Sequence, residues 1–207
     1  MLFRRRKSRC ASAVDHSFLH CIDMHMPYNR GMKTLVLYTS KYGSTKQYAE
    51  WIAEELGTIS RPLAAVTADD VAACNTLVIG CYVRMGKLMG AEFLAQHWDA
   101  LQHIHVVLFS VAAAPSESLE RAKWFEESVP PHIRAQIMHV PLRGRVRNLD
   151  LKDRAIIAMP KFMLWLKCVF KPTAANKAAL SGFRPFDAVR RDTLGPVIEA
   201  VRKGATH

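Results

Sequence analysis

Residues 33–45 read Lys-Thr-Leu-Val-Leu-Tyr-Thr-Ser-Lys-Tyr-Gly-Ser-Thr. The apolar run from Leu35 to Tyr38 suits a buried strand, and it ends in hydroxyl side chains around Gly43. Helix-forming residues from Gln47 to Leu56 follow at once. Strand, hydroxyl-rich turn and helix together make an anion site. The first amides of a helix lack internal partners, and the helix dipole favours negative charge there. The turn lacks G-x-x-x-x-G-K-[ST], so it is not a P-loop, and it lacks the G-x-G-x-x-G of a dinucleotide site. What remains is a monophosphate held by hydroxyls and amides, with no metal required.

The rest of the chain repeats the alternation. Strand-like runs are expected at 33–39, 61–66, 76–81, 105–110 and 137–142. Helices are expected at 45–56, 92–101 and 116–128, with a turn or helix start at 67–70. A last amphipathic helix is expected over 186–202, kinked at Gly195-Pro196. Continuous apolar strands separated by helices imply a parallel sheet covered on both faces. The expected fold is therefore α/β: a doubly wound three-layer sandwich around a five-stranded parallel sheet. Ligands in such folds sit at the carboxyl ends of the strands, which nominates the loops 39–45, 80–90 and 110–116.

Charge divides the chain. Residues 32–120 carry six Lys/Arg against nine Asp/Glu, a net of −3. Residues 121–171 carry eleven against four, a net of +7. Residues 1–31 hold Arg4-Arg5-Arg6-Lys7 without a sustained period and are expected to be a disordered basic extension before a domain at 32–207. The five cysteines form no C-x-x-C or paired framework, which fits a reducing cytoplasm. Cys81 reads as a small buried residue. No apolar run reaches the ~20 residues of a spanning helix.

The basic segment at about 143–171 has its own pattern. Arg143, Arg145 and Arg147 precede a run in which Lys161, Lys167 and Lys171 punctuate large apolar residues. As a helix it places Phe162, Trp165, Leu166 and Val169 on one stripe. Either the stripe packs on the sheet, or it meets a membrane interface with its cations on anionic headgroups. No nucleic-acid module accompanies the charge, so nucleic acid is not an expected partner.

Two loops carry a family resemblance. Thr39 to Thr45 resembles the phosphate loop of flavodoxins, with Tyr42 where threonine is more usual. Gly80-Cys81-Tyr82-Val83-Arg84-Met85-Gly86 resembles the Gly-x-x-(Ile/Val)-Arg-x-Gly loop of menaquinone-dependent protoporphyrinogen oxidases. The resemblance implies FMN. Its phosphate would lie on Ser40, Gly43, Ser44 and Thr45, with Lys41 and Tyr42 as further cofactor-binding residues of the same loop. Its ring would lie beside Tyr82, Val83, Arg84, Met85 and Gly86, with Ser110 and Val111 on the third side. Arg84 reads equally as a surface arginine. The implied activity is oxidation of protoporphyrinogen IX with a membrane quinone as acceptor, in heme biosynthesis, on the inner face of the cell membrane. Arg143, Arg145, Arg147, Lys161, Trp165 and Lys167 would form a membrane or substrate patch. The alternatives are an electron carrier without its own substrate and another FMN-dependent quinone reductase.

Overall fold

The computed structural model describes residues 34–147, 150–173 and 185–204. The extension expected over 1–31 lies outside them. The first strand, β1 (Thr34–Tyr38), alternates its side chains between two cores: Val36 faces one and Leu37 the other. The same alternation runs along β3 (Thr76–Arg84) and β5 (His105–Ala112). Strands buried on both faces have no polar side, which is why their sequences read as unbroken apolar runs.

Between them the chain forms α1 (Ser44–Glu55), β2 (Ser60–Pro62) and α2 (Ala68–Ala72). Thr67 and Asp70 close a capping box that starts α2. After β3 come β4 (Lys87–Met89), α3 (Glu92–Gln96) and α4 (Trp98–Leu101). After β5 come α5 (Leu119–Ser128), α6 (Pro131–Arg134) and β6 (Met138–Arg143). The sheet order is β2-β1-β3-β5-β6, all parallel, with β4 added antiparallel to the end of β3. β1 and β3 diverge in connectivity at the centre, so the switch point lies at their carboxyl ends.

Beyond β6 the chain leaves the sheet. β7 (Arg145–Val146) pairs antiparallel with β8 (Phe186–Asp187), forming a two-stranded stem. Between them lies α7 (Leu151–Phe170), a 20-residue helix capped by Asp150, whose carboxylate accepts from the Asp153 amide. The chain closes with a 3₁₀ turn (Arg191–Leu194) and α8 (Gly195–Gly204).

Four expectations need correction. The strand expected over 61–66 ends at Pro62 and gives way to a 3₁₀ turn, Leu63–Ala65. The helix expected over 186–202 is a strand, a 3₁₀ turn and a shorter helix. Gly195-Pro196 starts α8 instead of kinking it, because a proline in the first turn removes an amide that has no partner there. The helix expected over 92–101 is two short helices that break at His97, whose backbone is non-helical and whose ring stacks on Phe93. The loop expected over 80–90 is mostly strand: β3 runs to Arg84, and Met85 and Gly86, both at positive φ, turn the chain into β4 (Lys87–Met89).

Two cores flank the sheet. α1 and α8 cover one face with Tyr48, Ile52, Val197 and Val201. α2 to α6 cover the other, where Leu94, Leu101 and Ile133 meet Leu77, Ile79 and Leu108. The hydroxyl of the fully buried Tyr48 is a polar tip in the first core: it donates to Arg143 O at 2.8 Å and accepts from Arg190 N at 3.2 Å. It thereby ties the end of β6 to the chain returning from the stem.

Candidate functional site

A cavity of 290 Å³ opens at the carboxyl ends of β1, β3 and β5. Each wall comes from a loop that the sheet geometry brings there. Thr39 N donates to Gly80 O at 2.8 Å, fixing the first loop to β3. Gly43 then adopts φ +82 at the cap of α1, a left-handed turn that favours glycine. No side chain caps α1, so its first amides stay available to an anion. Ser44 and Thr45 are buried in that first turn. The Ser40 hydroxyl accepts from Gly43 N, and the Ser44 hydroxyl accepts from Arg145 N. Both hydroxyls therefore keep a proton to donate.

The second wall is Tyr82, Val83, Arg84 and Met85; the third is Val111, Ala112 and Ala113. Ser110 does not line the cavity. Its hydroxyl meets His139 Nε2 at 2.8 Å and accepts from Arg121 Nη2 at 3.0 Å. Arg121, 3% exposed, also donates to the Ser110 and Leu142 carbonyls. Burial lowers the Arg121 pKa to about 10. Burial and the Arg121 charge push His139 down to about 4, so its ring is neutral. Gly43 and Gly86 shape their turns without lining the cavity, and a Cβ on Gly86 would touch Trp124. Cys81 is fully buried, and burial pushes its thiol up to about 12.

The basic residues separate. Arg145 lines the cavity and its guanidinium bonds Gln47 of α1. The Arg143 guanidinium lies 4.9 Å over the Phe186 ring at the stem. Lys161, Trp165 and Lys167 lie along α7, and Arg147 is exposed.

The fourth wall, which the motif reading does not anticipate, is the start of α7: Asp153, Ile156 and Ile157. Asp153 Oδ2 accepts from Lys41 Nζ at 2.6 Å and from Tyr42 Oη at 2.5 Å. Its Oδ1 accepts from Arg84 Nη2 at 2.6 Å. Asp150 adds a carboxylate 2.9 Å from Lys41 Nζ. Burial alone would raise the Asp153 pKa, but these three donors outweigh it and hold the carboxyl well below the usual range. Asp153 and Asp150 in turn raise the Lys41 pKa. The sequence signal was Asp150-x-x-Asp153, an ordinary helix start, which says nothing of partners 69, 111 and 112 residues away.

The strand order, the switch-point cavity and the anion loop define a doubly wound nucleotide-binding domain of the 2-1-3-4-5 type. The chain belongs to the flavodoxin family: the model of the flavodoxin domain matches residues 35–164. Several solved structures are similar. The flavodoxin, WrbA-like protein from Agrobacterium tumefaciens is 17% identical over 58% of this chain and 86% of its own, with a TM-score of 0.43. The Trp repressor binding protein from Bacillus subtilis is 12% identical over 74% and 99%, also at 0.43. A flavoprotein in complex with FMN from Lactobacillus acidophilus is 18% identical over 54% and 92%, at 0.38. No curated protein sequence matches the chain.

FMN is the cofactor of this flavodoxin-type domain, and the donor set fits it. The uncapped first turn of α1 with Ser40, Ser44 and Thr45 suits a phosphate, and the apolar walls suit a planar ring. Bound there, FMN supplies exchange of one or two electrons with a partner. The protein's own task is to hold the phosphate end, exclude water with Val83, Val146, Ile156 and Ile157, and present Arg84 and Lys41 at the rim.

Proposed function

We propose that this flavoprotein is an oxidoreductase that oxidises protoporphyrinogen IX to protoporphyrin IX and delivers the electrons, through its FMN, to a membrane quinone. Three rounds would each remove two electrons and two protons and reduce one quinone to the quinol. The resemblance of residues 80–86 nominates the substrate. The observation that carries the reading is α7. Its first turns wall the cavity through Asp153, Ile156 and Ile157. Further along it exposes Met159, Phe162, Met163, Trp165, Val169 and Phe170, with Lys161 and Lys167 among them. Trp165 is 50% exposed and its ring stacks on Phe162.

An exposed apolar helix face with interspersed cations suits an anionic bilayer surface, which attracts each nearby Lys or Arg by about 1 kcal/mol. Among the described residues no helix is long and apolar enough to cross a membrane. A peripheral contact through α7 would bring the cavity within reach of a lipid-dissolved quinone.

The test is turnover of protoporphyrinogen IX by the FMN-loaded protein with a menaquinone analogue, measured above autoxidation. Absence of turnover, together with reduction by a flavodoxin reductase, would make the protein an electron carrier. Pelleting with anionic vesicles tests the surface: Trp165→Asp should weaken it about tenfold or more, ~1.4 kcal/mol. Unchanged pelleting would show that α7 does not meet lipid.

A further inference from the structure

Asp153 is the only buried side chain described in α7, and it is held by cations that belong to the cavity. Lys41 and Tyr42 come from the first loop and Arg84 from the end of β3. The walls around them are otherwise largely apolar: Val83, Ile156 and Ile157. Arg84 Nε is buried without a partner, so its guanidinium has a donor to spare. Two cations converging at the rim of an apolar cavity are the recognition chemistry of an organic carboxylate.

We infer that Lys41 and Arg84 form a carboxylate-binding site for the substrate, that Asp153 fills it from within the chain, and that a carboxylate-bearing substrate displaces Asp153 and frees the start of α7. The exchange swaps one carboxylate for another on the same donors, so the charge-assisted bonds are conserved, and burial of the substrate's apolar body offsets the high effective concentration of the tethered Asp153. These ion pairs are only part-buried, with the Lys41 and Arg84 side chains 25% and 36% exposed, and pairs of that kind add little to stability, which leaves the contact free to serve as a latch. The expected ligand class is a planar apolar body bearing one or more carboxylates. The inference rests on the proposed function only for the identity of that acid.

The probe is mesoporphyrin IX, which carries two propionates on an already oxidised ring and cannot turn over. Its dimethyl ester keeps the ring and loses both charges. Binding to the full-length FMN-loaded protein is read by fluorescence quenching, and motion of α7 by hydrogen exchange over 151–170. Asp153→Asn removes the competitor that Lys41 and Arg84 share, leaving Asp150 on Lys41 alone. It should tighten mesoporphyrin binding on the order of tenfold, the size of a charge-assisted hydrogen bond, without tightening the diester. In the wild-type protein, saturating mesoporphyrin should speed exchange over 151–170, and the diester should not. A positioning or structural role for Asp153 predicts the opposite sign, because its loss would disorder the cations and weaken binding. Equal or weaker binding by Asp153→Asn overturns the inference. If that variant does not fold, the wild-type exchange decides alone, and unchanged exchange at saturation overturns the inference equally. Turnover without these effects sinks the latch and leaves the function standing. These effects without turnover sink the function and leave the site standing.

Discussion

Gly80 sets up a direct contest between two effects of known size. It lies on β3, in register with Phe109 of β5. Alanine at a strand position ordinarily stabilises, by about 0.5–1 kcal/mol relative to glycine. Here an added Cβ would lie 2.3 Å from Phe109 Cζ and 2.8 and 2.9 Å from its two Cε atoms. Ordinary contact begins near 3.4 Å, so about 1.1 Å must be found. Phe109 is fully buried against Val36, Val78 and Val107, and its ring has no solvent to swing into. Overpacking of this kind costs about 1–3 kcal/mol, and contact with the body of a locked ring belongs at the upper end. At ~2–4 °C per kcal/mol for a domain of this size, Gly80→Ala should lower the melting temperature by about 6–12 °C. Phe109→Leu clears the ring at the cost of a cavity. Added to Gly80→Ala, it should cost at least ~1 kcal/mol less than the two single changes summed. Thermal and urea melts of the four proteins measure that coupling. If Gly80→Ala lies within ~0.5 kcal/mol of the wild type, or the pair is additive, the close-packing account is wrong.

His139 titrates at about 4 when folded against an ordinary 6.5. Its contribution is therefore complete above pH 6.5 and is lost as pH falls toward 4, at up to ~1.4 kcal/mol per pH unit. His139→Gln should remove that part of the acid slope, and an NMR titration midpoint near 6.5 for the wild-type ring would contradict the assignment. Tyr48→Phe strands the Arg143 carbonyl and the Arg190 amide and should cost about 1–3 kcal/mol, with faster exchange of the Arg190 amide. A change within ~0.5 kcal/mol would show that water replaces the hydroxyl.

The sheet was legible because burial on both faces leaves a signature that survives in one dimension: Leu35–Tyr38, Thr76–Cys81 and His105–Ser110 have almost nothing polar to hide. The anion turn was legible because Gly43 and its hydroxyls are adjacent in sequence. The fourth cavity wall was not, since Asp153 meets Lys41 and Arg84 across separations of 112 and 69 residues. Nor was the β3–β4 turn, for Met85 adopts φ +50 without the Asn or Gly that announces such a position. The start of the final helix was not legible, because the amphipathic period of Val197 to Val201 does not itself mark Gly195-Pro196 as its first turn. The two motifs drew attention to residues at strand ends, where chemistry concentrates. The helix that closes the cavity has no motif, because its pairing depends on tertiary approach alone.

The β7–β8 stem has an architectural consequence. Arg145 and Asp187 are opposite partners in that ladder, so the chain departs and re-enters at nearly the same point. Antiparallel neighbours can be joined by two residues, and joining them here would leave every parallel strand of the sheet in place. The phosphate turn, the end of β3 and the end of β5 all belong to the part that would remain. Everything that α7 contributes belongs to the part that would go. The fold is thus divided at a single joint into a flavin-holding chassis and an inserted helix, and what the insertion adds to the chassis is one wall of the cavity and the carboxylate that Lys41 and Arg84 share.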